Sequence, residues 1–310
     1  MKVVIIGQQD FGKAVLEAFL GRGDQVLGVF CAPEKEGGKP DPLRLAAQER
    51  GVKVIQLPNL RAPEALDEMR ALAPDIGIMA FVLQFAPQEF VTIPTHGTIQ
   101  YHPSLLPRYR GPSSINWPII RGDQETGLTI FRPTDGLDEG PIVLQKKVPI
   151  GPESTLGTIY FDQLFPLGVE ALVEAAEQVV SGTYGEQVQD ESLASYEGWC
   201  RTAESQIHWA QHVDGVYNLI RGCNPAPGAW TTWSGKKLQI FEARKRLFRT
   251  FGAVTGKIGE LSGLTAEGFL ITAQGGQIEV LRAKLEGGKK LDARILAEEQ
   301  GWGVGTRFES

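Results

Sequence analysis

A histidine, a glutamine and an aspartate are the residues of this sequence whose types and spacing suit proton transfer. Gln100 and His102 begin the segment QYHPSLLP at residues 100–107, and Asp138 lies 36 residues after His102 in the segment DGLDEG. An imidazole exchanges protons near neutral pH, a nearby carboxylate charges and orients it, and an amide N–H can donate to a carbonyl oxygen that gains negative charge. The three residues therefore predict general acid–base chemistry at a carbonyl group, without a serine or cysteine nucleophile.

These side chains need a strand end to position them. If residues 98–102 form a strand, Gln100 and His102 point to the same face, and the proline that follows His102 ends ordinary strand pairing there. Ligand crevices of open α/β sheets lie at the carboxyl ends of strands. Asp138 follows the next predicted strand, so we expect its loop to return to the same edge, with a purely structural His102–Asp138 hydrogen bond as the alternative.

The elements that would hold this edge alternate along the first half of the chain. Strands are predicted at residues 3–6, 25–30, 53–56, 75–81, 97–101 and 128–131, and helices at residues 11–20, 63–72 and 154–181. This rhythm predicts βαβ units in a Rossmann-like, mostly parallel α/β sheet with helices on both faces.

A smaller second domain is predicted after a polar stretch. Residues 182–195 lose all periodicity, and a helical pattern follows at residues 210–221. Short β-rich runs then occur at residues 238–241, 252–258, 268–272 and 278–283. They predict a small, OB-like antiparallel β-barrel. We therefore predict a first domain at residues 1–184, a linker at 185–204 and a second domain at 205–310.

Composition narrows the class of protein. The 310 residues are 42% hydrophobic and 22% charged, which favours two packed domains over disorder. A net charge of −6 argues against binding nucleic acid by general electrostatic attraction. Cys31, Cys200 and Cys223 lie far apart without CxxC spacing, so a reducing cytoplasmic location is expected. No apolar run is long enough to predict a membrane span.

Two other motifs offer alternative chemistry. Residues 7–14 follow the first strand and approach a phosphate-binding loop, but Ala14 stands where Ser or Thr would hold magnesium. A tight strand-to-helix turn capped by Asp10 is the structural alternative. His208 and His212 have the spacing of a pair on one helix face, but the glutamate of a metalloprotease motif is absent between them. No metal site is predicted from either motif.

Several segments together resemble the folate-dependent formyltransferase family. The similarity rests on SLLP at residues 104–107, RYRG at 108–111 and DGLDEG at 135–140, and on residues 224–230 and 287–290 near the C-terminus. It therefore spans essentially the whole chain. The resemblance implies that residues 1–184 form a catalytic domain that binds the formyl donor 10-formyltetrahydrofolate, and that the small domain frames the acceptor side. No metal cofactor is implied.

The resemblance also implies roles for individual residues. The catalytic residues would be His102, Asp138 and Gln100. The substrate-binding residues would be Gln84, Phe85, Ala86, Ser104, Arg110 and Asp138. Ordinary core packing is the alternative for Phe81, Leu83 and Phe85.

Gln100 marks a departure within the family, whose members usually carry asparagine two residues before the histidine. The hydrolase domain of 10-formyltetrahydrofolate dehydrogenase also departs there, and residues 11–12, 101–104 and 114–117 are most similar to that branch. Water or a small amine is therefore the expected formyl acceptor. Because Gln100 replaces the usual residue, a non-catalytic folate-binding protein is the alternative from another class.

Methionyl-tRNA is the second candidate acceptor, because the chain is also similar to methionyl-tRNA formyltransferases. Those enzymes use a basic loop after the second strand, whereas residues 32–40 here contain two lysines and two glutamates. Neutralising phosphates requires an excess of positive charge, so tRNA is less favoured as a partner. Arg244, Lys245 and Arg246, with Arg249, form the clearest basic cluster, which would contact RNA or be an exposed basic turn. The sequence does not define the oligomeric state.

Overall fold

The chain divides into two compact units in a computed structural model that describes residues 1–248 and 256–309. The first unit comprises Met1–Gly111, Gly127–Val148 and Phe161–Tyr196. The second comprises Pro112–Thr126, Pro149–Tyr160 and Glu197–Ser310. Each unit therefore combines segments that are distant in sequence, and the domain boundaries at residues 184 and 205 stay a prediction.

The first unit is built on a seven-stranded sheet in the order β3-β2-β1-β4-β5-β6-β7. Its strands are β1 (Lys2–Gly7), β2 (Gln25–Cys31), β3 (Lys53–Gln56), β4 (Ile76–Ala80), β5 (Thr98–His102), β6 (Glu125–Phe131) and β7 (Ile142–Pro149). Neighbours from β3 to β5 pair in parallel, and β6 runs antiparallel to β5. The apolar runs of the central strands β1 and β4 are buried along nearly their whole length, as expected for strands covered on both faces. The mostly parallel α/β class is confirmed.

Helices connect the parallel strands of this sheet, and further helices follow later in the chain. In the first unit they are α1 (Gln9–Gly21), α2 (Pro42–Glu49), α3 (Pro63–Leu72), α4 (Gln88–Val91) and α7 (Phe165–Ser181), whereas α5 (Asn116–Arg121) and α6 (Leu156–Ile159) belong to the second unit. Phe11 of α1 lies 4.5 Å from Tyr101 of β5 and 5.3 Å from Phe165 of α7, measured between ring centroids. These aromatic contacts fix two helices against the strand that carries Gln100 and His102.

The helix predicted over residues 154–181 is helical without a break from Leu156 to Ser181, but it contains a π-helical turn. Thr155 caps α6 by accepting a hydrogen bond from the N–H of Thr158, a π-helical turn follows at Tyr160–Leu164, and α7 then begins. Pro166 has no N–H to donate, so the ordinary α-helical bonding pattern cannot pass through it. The predicted end at Gly182 agrees with the structure, where this residue has a φ of 71°.

The second unit contains an antiparallel sheet in the order β10-β11-β12-β9-β8, with β13 paired to β12. Its elements are α8 (Val213–Gly222), β8 (Ala229–Trp233), β9 (Lys236–Leu247), β10 (Leu261–Leu264), β11 (Phe269–Ala273), β12 (Gly276–Leu285), β13 (Leu291–Asp292) and α9 (Ala293–Gln300). Near the C-terminus, Thr306 bonds to Leu261 of β10 and Glu309 bonds to Thr232 of β8, so this segment links the two edge strands. The small antiparallel C-terminal domain is confirmed.

Two predicted elements of this unit need comment. Of the run at residues 252–258, residues 252–255 lie outside the described residues, and residues 256–258 form no strand. The helix predicted from residue 210 begins instead at Val213. Among the helices that the structure describes, none has the length and apolar character needed to cross a membrane.

Candidate active site

Strand β5 places Gln100 and His102 at its carboxyl end. Gln100 pairs with Met79 of β4 and with Phe131 of β6, and His102 pairs with Thr129 of β6. The strand ends at His102, where the sequence predicts that Pro103 stops it. His102 is buried and Gln100 is half-buried, so the strand presents one enclosed and one accessible polar side chain two residues apart.

The side chains of His102 and Asp138 meet. Nδ1 of His102 lies 3.6 Å from Oδ2 of Asp138, and the two side chains are only 7% and 8% exposed. This distance suits an ionic contact but is longer than a hydrogen bond. Catalytic hydrogen bonds are often long in ligand-free structures and shorten when substrate binds.

A backbone carbonyl contacts the other nitrogen of the same ring. Nε2 of His102 lies 2.9 Å from the carbonyl oxygen of Tyr109. A carbonyl oxygen only accepts hydrogen bonds, so Nε2 carries a proton and Nδ1 is the nitrogen that faces Asp138. The sequence predicts that Asp138 charges and orients His102; the contact that sets the tautomer comes from the loop that follows β5.

Asp138 is held by its backbone as well as by its side chain. Its Oδ2 accepts a 2.9 Å hydrogen bond from the N–H of Gly111. Its carbonyl oxygen accepts a 2.8 Å bond from Nε2 of Gln189. The φ of Asp138 is 55°, in the left-handed region that non-glycine residues seldom occupy, so these bonds hold a strained backbone.

Because β6 runs antiparallel to β5, the loop that carries Asp138 leaves the sheet beside Gln100 rather than beyond His102. It passes the segment after β4, where the carboxylate of Asp135 accepts a 3.0 Å bond from the N–H of Gln88. The expected return of Asp138 to His102 is therefore achieved by the loop itself and not by strand direction.

The Gln100 amide is left available. Across residues 1–248 and 256–309, no protein group forms a hydrogen bond with its side chain. A half-buried amide without a protein partner, two residues before His102 on the same strand, can donate an N–H to a bound carbonyl oxygen.

Ser104 and Arg110 already have protein partners. The Ser104 hydroxyl donates to the carbonyl of Arg108 at 2.7 Å. The buried Arg110 guanidinium donates to Oε1 of Gln189 and to both carboxylate oxygens of Glu191. The hydrogen bond from Arg110 also lowers the pKa of Glu191. Both predicted substrate-binding residues are thus used to shape the loop around His102.

Thr129 of β6 organises the turn between His102 and Tyr109. Its hydroxyl donates to the carbonyl of Ser104 at 2.7 Å, accepts from the N–H of Leu106 at 3.1 Å and accepts from Nε2 of Gln145 at 2.9 Å. These bonds fold the SLLP segment back and thereby deliver the Tyr109 carbonyl to the imidazole.

The segment after β4 exposes apolar side chains. Phe81, Leu83 and Phe85 are 44%, 63% and 46% exposed, so the core-packing interpretation of these three residues is wrong. The guanidinium of Arg61 lies 4.3 Å from the centroid of the Phe85 ring. Because β4 and β5 are parallel neighbours, this segment leaves the sheet at the edge where His102 lies.

The other two predicted residues of this segment are more enclosed. Nε2 of Gln84 donates to the carbonyl of Leu57 at 2.7 Å, and Ala86 is buried in the apolar cluster beneath the segment. Ala86 has no polar side-chain group and Nε2 of Gln84 is bonded to Leu57, so both residues help to fix the path of the backbone between the exposed side chains.

The phosphate-loop motif has a structural explanation. A Cβ on Gly7 would lie 1.9 Å from the carbonyl oxygen of Ala80, so glycine is needed for β1 and β4 to approach. The predicted cap at Asp10 is wrong: α1 begins at Gln9, Gln8 takes the capping position without a side-chain bond, and Asp10 lies in the first turn.

The histidine pair does not form a metal-binding face. His212 is the residue before α8, where its Nδ1 accepts from the N–H of Asp214, and His208 precedes the helix altogether. The described residues contain no group of three or more metal-ligating side chains.

The basic cluster lies on β9 and is ion-paired. Its pairs are Arg244 with Glu267, Lys245 with Asp214 and Arg246 with Glu279. Arg249 lies outside the described residues. Each described cation of the cluster therefore has an acidic neighbour, which weakens the attraction of a phosphate backbone.

Comparison with known proteins identifies the family. A formyl transferase model matches residues 1–176, and a model of the formyl transferase C-terminal domain matches residues 200–301. The first match alone covers more than half of the 310 residues. The resemblance inferred from the motifs is confirmed.

Curated relatives fall into two groups. The chain is 42% identical over 248 residues to cytosolic 10-formyltetrahydrofolate dehydrogenase of Mus musculus, covering 78% of this chain and 27% of the relative. It is 37% identical over 306 residues to the same enzyme of Xenopus tropicalis, covering 94% and 34%. The chain thus spans between 27% and 34% of the length of these relatives. The chain is 32% identical over 299 residues to methionyl-tRNA formyltransferase of Geobacter metallireducens, and this match covers 95% of this chain and 94% of the relative.

Solved structures share the fold. HypX from Aquifex aeolicus in complex with tetrahydrofolic acid superposes with a TM-score of 0.66 at 20% identity, over 98% of this chain and 48% of that one. WlaRD, a sugar 3N-formyl transferase, superposes with a TM-score of 0.67 at 18% identity, over 93% and 99%. Together with the family matches, these findings show that the chain is an enzyme that belongs to the formyl transferase family.

Proposed function

We propose that this protein takes the formyl group from 10-formyltetrahydrofolate and passes it to water or a small amine, releasing tetrahydrofolate. The observation that carries the proposal is the 3.6 Å contact between buried His102 and Asp138 side chains beside the unpartnered Gln100 amide. A base, an orienting carboxylate and an N–H donor are the groups that acyl transfer to a simple nucleophile requires.

The proposed reaction begins when the acceptor attacks the formyl carbon. A bond forms from the acceptor oxygen or nitrogen to that carbon, the carbonyl oxygen gains negative charge, and the Gln100 N–H donates to it. His102 takes the acceptor's proton at Nδ1, while Asp138 stabilises the imidazolium that forms. The carbon–nitrogen bond to the folate then breaks, and the same proton passes to the folate nitrogen. With water as acceptor, the products are formate and tetrahydrofolate.

The donor is proposed to lie along the segment after β4. Pterin and aminobenzoyl rings have broad faces that pack on apolar side chains, and Phe81, Leu83 and Phe85 expose such side chains there. Gln84 and Ala86 would set the backbone path of this segment, as their contacts with Leu57 and the apolar cluster indicate.

Ser104 and Arg110 are proposed to serve the donor site indirectly. Their polar groups are engaged by the carbonyl of Arg108 and by Gln189 and Glu191, so their contribution is the shape of the loop that carries Tyr109. Asp138 would contact the reacting atoms through His102.

A small acceptor is preferred to methionyl-tRNA on charge. The described cations of the β9 cluster are ion-paired, and the two lysines in the loop at residues 32–40 are balanced by two glutamates. Methionyl-tRNA stays the second candidate, because the similarity to a methionyl-tRNA formyltransferase covers nearly the full length of both chains.

We further propose a cytoplasmic location, because the three cysteines are free thiols.

The test is to incubate the protein with 10-formyltetrahydrofolate alone, with amino sugars and other small amines, and with methionyl-tRNA, and to identify the formylated product by mass. Formate or a formylated small amine is the expected product. If formyl-methionyl-tRNA is the dominant product, methionyl-tRNA is the acceptor and the proposal of a small acceptor is wrong. Saturable donor binding with no product would instead support the non-catalytic folate-binding alternative.

A further inference from the structure

Gln189 is a buried polar residue in a stretch that the sequence predicts to be a linker. It lies 51 residues after Asp138, and only 5% of it is exposed to solvent. Its neighbours along the chain, Gln187, Val188 and Asp190, are all exposed. A single amide turned inward from an otherwise solvated segment needs hydrogen bonds to offset its burial.

Both ends of the Gln189 amide are bonded. Nε2 donates to the carbonyl oxygens of Asp138 and Gly140, each at 2.8 Å. Oε1 accepts from Nε of Arg110 at 3.2 Å and from Nη2 of Arg110 at 2.8 Å. The amide therefore joins the loop that carries Asp138 to the loop that follows β5.

These bonds complete a closed ring of contacts around the proposed catalytic pair. Tyr109 and Gly111 flank Arg110 in the chain. The carbonyl of Tyr109 contacts His102, and the N–H of Gly111 donates to Asp138. Any movement of the Arg110 side chain or of the Asp138 backbone is thus transmitted to the imidazole or the carboxylate.

We infer that Gln189 is a positioning residue for formyl release, which sets the separation of Asp138 from His102 without touching substrate. The inference rests on the proposed function, since it acts through those two residues. Asp138 occupies a strained left-handed backbone conformation, and strain of this kind persists only where surrounding contacts hold it. Relaxation of the backbone would displace the carboxylate.

Two substitutions separate the bonds that matter. Gln189→Leu removes the contacts to Arg110 and to both carbonyls. Gln189→Glu keeps oxygen acceptors for Arg110 but sets a carboxylate against the carbonyls of Asp138 and Gly140, so the chain stays anchored while the Asp138 loop loses its donor. Gln187→Leu is the matched control, because that side chain is exposed and bonds to no described residue.

The experiment measures kcat and KM for release of formate or formylated amine from 10-formyltetrahydrofolate, together with the thermal midpoint of each full-length variant. We expect Gln189→Glu to lower kcat per folded protein about tenfold to hundredfold, the effect of a displacement of about 1 Å at a catalytic group, with KM for the donor close to that of the unmodified protein. The midpoint should fall, because two carbonyls lose their donor and face a carboxylate, so kcat is compared at a temperature where the variant is fully folded. The control should be unchanged.

The histidine ring signals give an independent readout, since the protein has only four histidines and His102→Asn identifies its signal by loss. We expect the His102 ring shifts to move in Gln189→Glu and to stay in place in Gln187→Leu. Unchanged kcat in Gln189→Glu, or a loss that only follows the folded fraction, would overturn the inference. If His102→Asn itself releases formyl normally, the proposed function fails instead, whatever Gln189 does.

Discussion

The carbonyl oxygen of Tyr109 lies 2.9 Å from Nε2 of His102, so the imidazole is oriented by the backbone of a loop seven residues further along the chain. The opposite ring nitrogen faces Asp138. The ring is therefore fixed from two sides, and we expect Nδ1 to be the nitrogen that exchanges protons with substrate. The SLLP segment makes this contact possible. Thr129 bonds to Ser104 and Leu106 in this segment and so holds the turn that brings Tyr109 back to β5.

Gln100→Leu is expected to lower kcat by about 10² to 10³, the usual loss of one oxyanion donor, with little change in KM. The Gln100 amide has no protein partner among the described residues, so stability should also change little. Steady-state kinetics of formyl release and a thermal melt check this. An equal fall in kcat and in folded fraction would contradict the role of an oxyanion donor.

Glu34→Gln is expected to change how the stability of the folded protein depends on pH. The Glu34 carboxylate accepts from the N–H of Asp41 and from the Gln56 amide, and it pairs with Arg44; these bonds outweigh the opposing effect of burial and lower its pKa from 4.5 to about 2. A depressed pKa in the folded state stabilises the protein above pH 4.5, and that contribution is lost as the pH falls towards about 2.

The measurement for Glu34 is the thermal midpoint of the unmodified protein and of Glu34→Gln from neutral pH down to the acid limit of folding. We expect the variant to be less stable at neutral pH and the two curves to converge below pH 4.5. A constant gap between the curves across that range would show that the ionised carboxylate is not responsible.

Gly7→Ala is expected to destabilise the first unit by about 1 to 3 kcal/mol or more, because its Cβ would meet the carbonyl of Ala80 at 1.9 Å. Gly21→Ala is the control: a Cβ there meets nothing within 4 Å at the end of α1, and alanine should be neutral or slightly stabilising. Chemical denaturation of both variants tests this.

A stabilising shift on adding ATP to the unmodified protein would instead favour the nucleotide-binding interpretation of the loop at residues 7–14.

The sequence predicts the buried parallel strands well because their signal is local. The apolar run around Val4, the helix ending at Leu72 and the proline stop after His102 each follow from hydrophobicity, periodicity or backbone chemistry. Strands β7 and β8 are missed because their apolar runs are short: Gln-Lys-Lys follows the three apolar residues that open β7, and two threonines interrupt β8.

The contacts that orient the candidate site follow from tertiary structure and carry no local signal. Gln189 lies in a polar segment that reads as a linker, and only the folded chain shows its amide turned towards Arg110 and Asp138. In the second unit, Sγ of Cys200 and Sγ of Cys223 lie 3.8 Å apart although no sequence spacing pairs them. Motif spacing predicts the reactive residues but not the contacts that hold them.

The most direct test of the central claim is the rate at which Asp138→Asn and His102→Asn release the formyl group of 10-formyltetrahydrofolate. Asn at position 138 keeps an oxygen to accept from the N–H of Gly111 and removes only the charge that faces the imidazole. We predict that each variant loses about 10² to 10⁴ in kcat while it still binds the donor. The double variant should lose little more, since the two residues act as one unit. Formyl release at the unmodified rate by either single variant would contradict the account.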